Sequence, residues 1–393
     1  MYSERREINY ILLLLIIFPI QILNEYIPKL GWIIIGTRIL FCLLYLAIRI
    51  GQTKTIKIHK HKVALSIVII VIQQFIALNI HGTTMQNIIR LIDYMLILIA
   101  GFTYFSNLKR KDYVYLHKAV WYISTVYILI TLCQSFYYQA SDYQEVMLFI
   151  GSRADTVQTI FTLIVLLIST DYLLYKKIKR CDFVLLLLAF LDSICLKSGQ
   201  GTVMLALIII TVALIYYKNV SVWKFITLKI GLILIAILNI LIIFGYYQNI
   251  GVFNFVITEV LHKSITLTGR TNIYSHIPEL ISLSPLVGYG YGTKIVADYI
   301  GYIDSAFVSA HNSILELLLI YGAIGTVFFI KLIWDTLRQL YKHYEIRENG
   351  ILIGAIWASF IGGLVNLMIT SVPFLILLCF SRSFSCFSET TEK

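Results

Sequence analysis

Long apolar runs broken by short polar clusters organise the whole chain. Runs of about twenty apolar residues are long enough to cross a bilayer as helices. They recur near 8–24, 30–49, 63–80, 86–106, 115–135, 157–175, 181–196, 201–217, 225–246, 311–334, 351–369 and 371–383. The pattern predicts an all-α, polytopic membrane protein of about 12 transmembrane helices. The spans near 181–196, 201–217 and 371–383 are short. The last two are separated only by 370–373, which suits either a hairpin or a re-entrant pair. No internal repeat, low-complexity tract or soluble domain interrupts the series, so residues 1–393 read as one integral membrane domain.

Positive charge alternates between the gaps. Arg5/Arg6, Lys54/Lys57/Lys60/Lys62, Lys109/Arg110/Lys111, Lys176/Lys177/Lys179/Arg180, Lys218/Lys224 and Arg338/Lys342/Arg347 fall on one side. The other side carries only Lys29, Arg153, Lys197 and Lys263/Arg270/Lys294. Basic loops stay cytoplasmic, so both termini are expected inside, with an even number of spans. The long connections 136–156 and 247–310 then lie outside. Loops of that length are uncommon without a function. Within 247–310, Phe253, Val256, Ile257, Val260 and Leu261 recur at helical spacing, as do Ile273, Ile277, Leu280 and Ile281. These read as two short amphipathic helices at the outer membrane face. Gly288-Tyr289-Gly290-Tyr291-Gly292 follows Pro285 as a glycine-rich turn.

Composition sharpens the class. Of 393 residues, 59 % are hydrophobic and 13 % charged, against about 25 % charged in soluble chains. Too few polar residues remain to cover a soluble surface. The net charge of +11 sits in orienting clusters, which argues against a nucleic-acid partner. Cys42, Cys133, Cys181, Cys195, Cys379 and Cys386 show no metal-ligand spacing and read as small apolar side chains. Arg5 and Arg6 precede an apolar run with no small-residue cleavage site after it, the mark of a retained first span.

Candidate chemistry gathers on the outer side. Arg270 precedes the second loop helix; its guanidinium there suits a phosphate, or pairs with lipid headgroups. His311 stands where the long loop re-enters the membrane, as a general base or as an interfacial helix cap. Glu316, inside the following span, needs a partner or a proton. Lys197, before Ser198-Gly199-Gln200-Gly201, is an anion contact or a snorkelling lysine. Arg90 and Asp93 could pair along their helix, Arg38 has no evident partner, and Arg153 and Asp155 close the first long loop. The outer tyrosines, Tyr289 and Tyr291 among them, could stack on sugars or anchor at the interface. The glycine-rich turn is no nucleotide loop, because no βαβ unit surrounds it. Asp142 and Glu145 form no recognisable metal site, and no Cys/His cluster is apparent.

Three ordered pieces between Leu267 and Gly325 resemble the O-antigen ligase/polymerase superfamily. They are Thr268-Gly269-Arg270 before Ile273-Tyr274, then Ser284-Pro285-Leu286-Val287-Gly288-Tyr289-Gly290, then His311-Asn312-Ser313-Ile314-Leu315 with Tyr321-Gly322-Ala323-Ile324-Gly325. One departure stands out: Gln200 occupies the place where such proteins often carry an arginine. The resemblance implies a membrane glycosyltransferase of the bacterial cytoplasmic membrane. It would act on a polyprenyl-diphosphate-linked oligosaccharide, with 247–310 as its extracytoplasmic catalytic loop. His311 would take the acceptor's proton and Arg270 would hold the leaving diphosphate. Lys197, Arg153, Arg90, Tyr289, Tyr291, Asn312 and Glu316 would bind substrate. Transfer would invert the anomeric centre, with no cofactor and no metal.

The resemblance implies polymerisation of capsular or O-antigen repeat units, with a flippase and a chain-length regulator as partners. A ligase using another acceptor is the alternative. A flippase or other transporter is a rival of another class; it would show paired halves with midplane polar groups, and Arg38 suits it. A sensor or scaffold would need an output domain. Arg270→Ala and His311→Ala are expected to abolish polymer, and His81→Ala, in another outer turn, to leave it.

Overall fold

The computed structural model describes residues 10–11, 13–19, 27, 29–53, 61–82, 84–138, 148–218, 226–260, 264, 266, 270–305 and 307–391. Arg5, Arg6, Asp142, Glu145, Lys263, Thr268, Gly269 and, of the first expected span, residues 8, 9, 12 and 20–24 lie outside them. Among the described residues all regular structure is helical. The long helices are α1 (Leu30–Thr53), α2 (His61–His81), α3 (Met85–Ser106), α4 (Arg110–Tyr138), α5 (Arg153–Tyr175), α6 (Arg180–Cys195), α7 (Gly199–Lys218), α8 (Leu228–Ile243), α9 (Arg270–Leu283), α10 (Lys294–Ile303), α11 (Ser313–Tyr341), α12 (Arg347–Gly362) and α13 (Val372–Thr391).

Seven of these, α1 to α5, α7 and α11, are long and apolar enough to cross a membrane. The chain is a multi-pass membrane protein. α6, α8 and α12 stand at expected spans but have 16 residues each, a rise of about 24 Å against a hydrocarbon core of about 30 Å. α12 and α13 are joined by the turn 363–371, longer than the expected break at 370–373.

Lipid is the outer solvent of this bundle. On α8, Ile230, Ile233, Leu234, Ile237 and Ile240 are exposed at helical spacing, while Gly231, Ile235, Asn239 and Ile242 are buried. The apolar face that would be inward in water is outward here. At the centre lies α5, with 94 % of its membrane-length window buried, against α4, α6, α7, α12 and α13. α2 packs on α11, and α3 packs on α1 and α13.

The long loop builds a second core. Ile273, Tyr274, Ile277 and Leu280 of α9 join Val296 and Ile300 of α10, Ile242, Leu315 and Leu319. The expected helix of α9 is there. The expected helix near 253–261 is a short α-turn at Gly251–Phe255 running into a π-turn at Val256–Val260, with only Ile257 buried in the core. α10, capped by Thr293 Oγ1 accepting from Ile295 N, was not anticipated from the sequence.

The glycine-rich turn is explained by α11. This helix breaks at Gly322, where φ is +55°. The segment 285–290 enters the break. Tyr289 N donates to Leu319 O at 2.7 Å and Gly290 N to Ile320 O at 3.0 Å; Ala323 N donates to Pro285 O at 2.8 Å and Ile324 N to Leu286 O at 3.1 Å. Leu319 O, Ile320 O, Ala323 N and Ile324 N at the break thus find partners, as membrane depth demands. Only glycine fits at both faces. A Cβ on Gly288 would stand 2.4 Å from Gly322 N, and one on Gly322 would stand 2.4 Å from Leu286 C. α2 seals the crossing: Gln73 Nε2 donates to Val287 O, Gln74 Nε2 to Ile320 O at 3.1 Å, and Gln74 Oε1 accepts from Tyr291 N at 2.7 Å.

Candidate active site

The site begins with how the chain enters α11. His311 sits in the left-handed region at φ +48°, uncommon for a residue with a β-carbon. Its neighbours hold it there. Ala310 N donates to Glu316 Oε2 at 3.0 Å, and Tyr274 Oη donates to His311 O at 3.1 Å. Asn312 caps the helix: its Oδ1 accepts from Ile314 N at 3.0 Å and Leu315 N at 3.1 Å. Its Nδ2 donates to Asn239 Oδ1 at 3.0 Å and Leu364 O at 2.9 Å. The 363–371 turn closes over this start. Ser313 Oγ donates to Asn366 O at 2.8 Å and accepts from Met368 N at 2.9 Å and Ile369 N at 3.1 Å.

The side chain of His311 is left open within this held backbone. Phe307 packs edge-on against its ring at 4.9 Å between centroids. Its Nδ1 is buried and has no hydrogen-bond partner among the described residues. Arg270, first residue of α9, has its Nε in the same condition. Tyr274, one turn along α9, ties the two: its hydroxyl reaches His311 O, while burial pushes that hydroxyl's pKa up and the charge of Arg270 lowers it in part. Burial, and then the charge of Arg270, lower the His311 imidazole to about 4. Burial also lowers Arg270. His311 is therefore a neutral acceptor at neutral pH, facing a fixed cation. Buried polar atoms left unpaired are costly and call for an explanation, a bound ligand being one.

The other expected contacts are distributed unevenly. Asn312 uses both donors and both acceptor positions within the fold, so nothing on it remains for substrate. Its role is the cap. Glu316 is buried and holds Ala310. Tyr289 is buried, its hydroxyl donating to Leu280 O at 2.8 Å and its ring 4.6 Å from that of His81. Tyr291 stacks on Tyr94 at 4.5 Å. These two tyrosines pack the crossing. Lys197 is exposed in a left-handed turn at φ +51°. That turn reaches the site indirectly, because Gln200 Oε1 accepts from Asn366 Nδ2 at 2.7 Å and Asn366 O accepts from Ser313. Gln200, in the arginine's expected place, thus orders the cap. Arg153 starts α5, whose Gln158 donates to Leu367 O at 3.4 Å, placing it at the same end of the bundle.

Three pairings differ from expectation. Arg38, without an evident partner in the sequence, makes a two-pronged pair with Asp93, Nε to Oδ1 at 2.7 Å and the terminal nitrogen to Oδ2. Arg90, released from Asp93, lies over the Trp32 ring at 5.7 Å, with its stem near Gly292. His81 is no remote control position, because its Nε2 lies 3.0 Å from Ser284 Oγ at the crossing. Residues missed in the sequence are Phe307, Asn239 and Asn366, none of which carried a sequence signal. Tyr274, already part of the motif with Arg270, was not singled out for its contact with His311.

Comparison with known families bears on this arrangement. Residues 183–330 match the O-antigen ligase family. The O-antigen ligase match runs from α6 to the middle of α11 and includes Lys197, Arg270, His311, Glu316 and Gly322. Arg90, Arg153 and the closing turn 363–371 lie outside it. No curated protein and no solved structure matches the chain.

Proposed function

We propose that the protein polymerises oligosaccharide repeat units carried on polyprenyl diphosphate, by inverting glycosyl transfer at the outer face of the bacterial cytoplasmic membrane. In this reading 247–310 is the catalytic loop, the bundle has about 12 spans, and both termini are cytoplasmic. Several of the shorter helices then cross where the bilayer thins to meet them. The observation that carries the reading is the pair of buried, unfilled polar atoms on Arg270 and His311. They lie within the stretch that matches O-antigen ligases.

The acceptor sugar hydroxyl attacks the anomeric carbon of the donor. Its proton passes to His311 Nδ1, the atom with no hydrogen-bond partner among the described residues. The bond from the anomeric carbon to the diphosphate oxygen breaks, and the diphosphate leaves with the electron pair. Arg270 stabilises that developing charge in a site screened from water. Binding also tunes the base. An incoming diphosphate offsets the field by which Arg270 depresses His311, so the imidazole becomes more basic when a donor is present. Lys197 and Arg153 guide the anionic donor to this end of the bundle.

Ligation to a different lipid acceptor is the second reading, favoured by the description of the matched family. A transporter is less well supported, because Arg38 is paired with Asp93. The test uses purified protein and a synthetic polyprenyl-diphosphate repeat unit, read on a gel. A ladder that disappears in His311→Ala supports the polymerase. Transfer only when a second lipid acceptor is supplied supports the ligase. Movement of the lipid across vesicles without either product overturns both.

A further inference from the structure

Three helices meet at the opposite end of the bundle around a cluster that glycosyl transfer does not use. His117 on α4, Asp171 on α5 and Asp182 on α6 bring one nitrogen and two carboxylate oxygens within 4.8 Å of one another. Their exposures are 3 %, 0 % and 0 %. Asp171 lies about 20 Å along α5 from Gln158, the residue that reaches the closing turn near His311.

The hydrogen bonds fix the direction of each donor atom. Thr170 has one hydroxyl proton, given to Leu166 O at 2.8 Å and Leu167 O at 2.9 Å. Its oxygen therefore accepts from His117 Nδ1 at 3.1 Å. Nδ1 carries the hydrogen, and in the neutral ring Nε2 carries the lone pair. That lone pair faces Asp171 Oδ1 and Asp182 Oδ2, each at 3.6 Å. Both oxygens are buried and have no hydrogen-bond partner among the described residues. The opposite oxygens are engaged, Asp171 Oδ2 by Lys179 N at 2.9 Å and Asp182 Oδ1 by Cys181 Sγ at 3.4 Å.

Three electron-pair donors thus converge, two of them on carboxylates, and they require positive charge between them. The ammonium of Lys179 stands at the rim, 3.3 Å from His117 Nε2 and 4.0 Å from Asp171 Oδ1, over the Tyr175 ring at 3.7 Å. Its side chain is 34 % exposed, so it is free to withdraw toward solvent.

We propose that His117 Nε2, Asp171 Oδ1 and Asp182 Oδ2 form a site for a divalent cation of the zinc class, which pins α4, α5 and α6 together. Ligands about 2.0–2.2 Å from a tetrahedral ion stand roughly 3.3–3.6 Å apart. The two 3.6 Å separations need almost no adjustment to meet that spacing. The Thr170 bond to Nδ1 is the outer contact that orients a ligating imidazole. A fourth position, on the side of Lys179, is left for water.

The test uses the full-length protein in detergent, stripped with EDTA, desalted and titrated with Zn²⁺. Bound metal and Tm are measured. One zinc retained per chain and a Tm rise of about 5 °C are expected, both lost in His117→Gln and in Asp171→Asn/Asp182→Asn. Lys179→Met is expected to keep or tighten binding, because a competing charge is gone. Co²⁺ in the unmutated protein is expected to give visible absorption of a tetrahedral site, a readout that does not depend on the variants folding. Failure of the unmutated protein to retain zinc, or equal retention by the variants, overturns the proposal. A stripped protein that ignores zinc but loses Tm in Lys179→Met would make the ammonium the resident cation. One that ignores zinc but gains Tm in Asp182→Asn would point to a proton shared by the carboxylates. Either result also overturns it.

Discussion

The crossing of segment 285–290 with α11 and the pocket of Arg270 and His311 lie along one stretch of chain, yet they treat polar groups in opposite ways. At the crossing, Tyr289 N, Gly290 N, Ala323 N and Ile324 N all find carbonyls, and Gln73 and Gln74 close what remains. In the pocket, Arg270 Nε and His311 Nδ1 are buried and have no hydrogen-bond partner among the described residues. Motif glycines and motif charges therefore carry different burdens. Gly288 and Gly322 let a broken helix exist at membrane depth, whereas Arg270 and His311 would carry the chemistry in the proposed reaction. Changes at the crossing should alter stability, and changes in the pocket should alter rate.

The largest effect is expected in the pocket. His311→Ala should lower kcat about 10³-fold, within the range for loss of a general base. Arg270→Ala should lower it about 10²- to 10³-fold, as for loss of a charge-stabilising donor. Both proteins should keep their Tm within a few degrees, since Arg270 Nε and His311 Nδ1 have no partner among the described residues. Single-turnover rates beside thermal melts check this. A His311→Ala protein that melts early would erase the contrast between the two regions.

At the crossing the order reverses. Gly288→Ala puts a Cβ 2.4 Å from Gly322 N at a φ of +69°, and it should cost about 3 kcal/mol or more of stability. Gln74→Ala leaves Tyr291 N without its bond and Ile320 O with only that from Gly290 N, a cost of about 1–3 kcal/mol. His81→Ala, which loses the contact with Ser284, should cost about 1 kcal/mol. Activity per folded molecule should stay near that of the unmutated protein in all three. Folded yield in detergent and Tm, divided into activity, provide the measure.

Much of the bundle was legible because a bilayer imposes a simple demand: about twenty apolar residues per span. The positions of α1 to α8 and of α11 to α13 follow from that demand. Arg270 and His311 stood out because they lie in the ordered motifs that resemble the O-antigen ligase/polymerase superfamily; by spacing alone each also had an ordinary interfacial reading. What stayed hidden depends on contacts between distant residues. Arg38 and Asp93 are 55 positions apart; only the packing of α1 on α3 joins them. The break at Gly322 lies inside an unbroken apolar run, and a left-handed φ leaves no mark on hydropathy. His117, Asp171 and Asp182 come from three helices whose rotations no single-helix pattern fixes. Asn312 looked like a free polar group because its four partners lie on α8, on α11 and in the 363–371 turn.

The smallest and most discriminating effect concerns pH. Burial and Arg270 hold His311 at about 4, below the usual histidine value near 6.5. A depressed pKa keeps the imidazole neutral, and so able to accept a proton, down to that value. The acid limb of kcat/KM, which reports the free enzyme, should therefore fall near 4, with less than about a twofold change between pH 7 and 5.5. Removing the cation moves the limb in one direction only. In Arg270→Ala the residual activity should lose its acid side at a higher pH, while burial still holds it below the ordinary value. The limb of kcat should also lie above that of kcat/KM, because the bound diphosphate opposes the field of Arg270. Full pH–rate profiles of both proteins decide the matter. An unmutated enzyme whose kcat/KM limb sits at 6.5 would have a solvated histidine, or a different base. The unpaired Nδ1 would then be a gap in packing and not a reserve of reactivity.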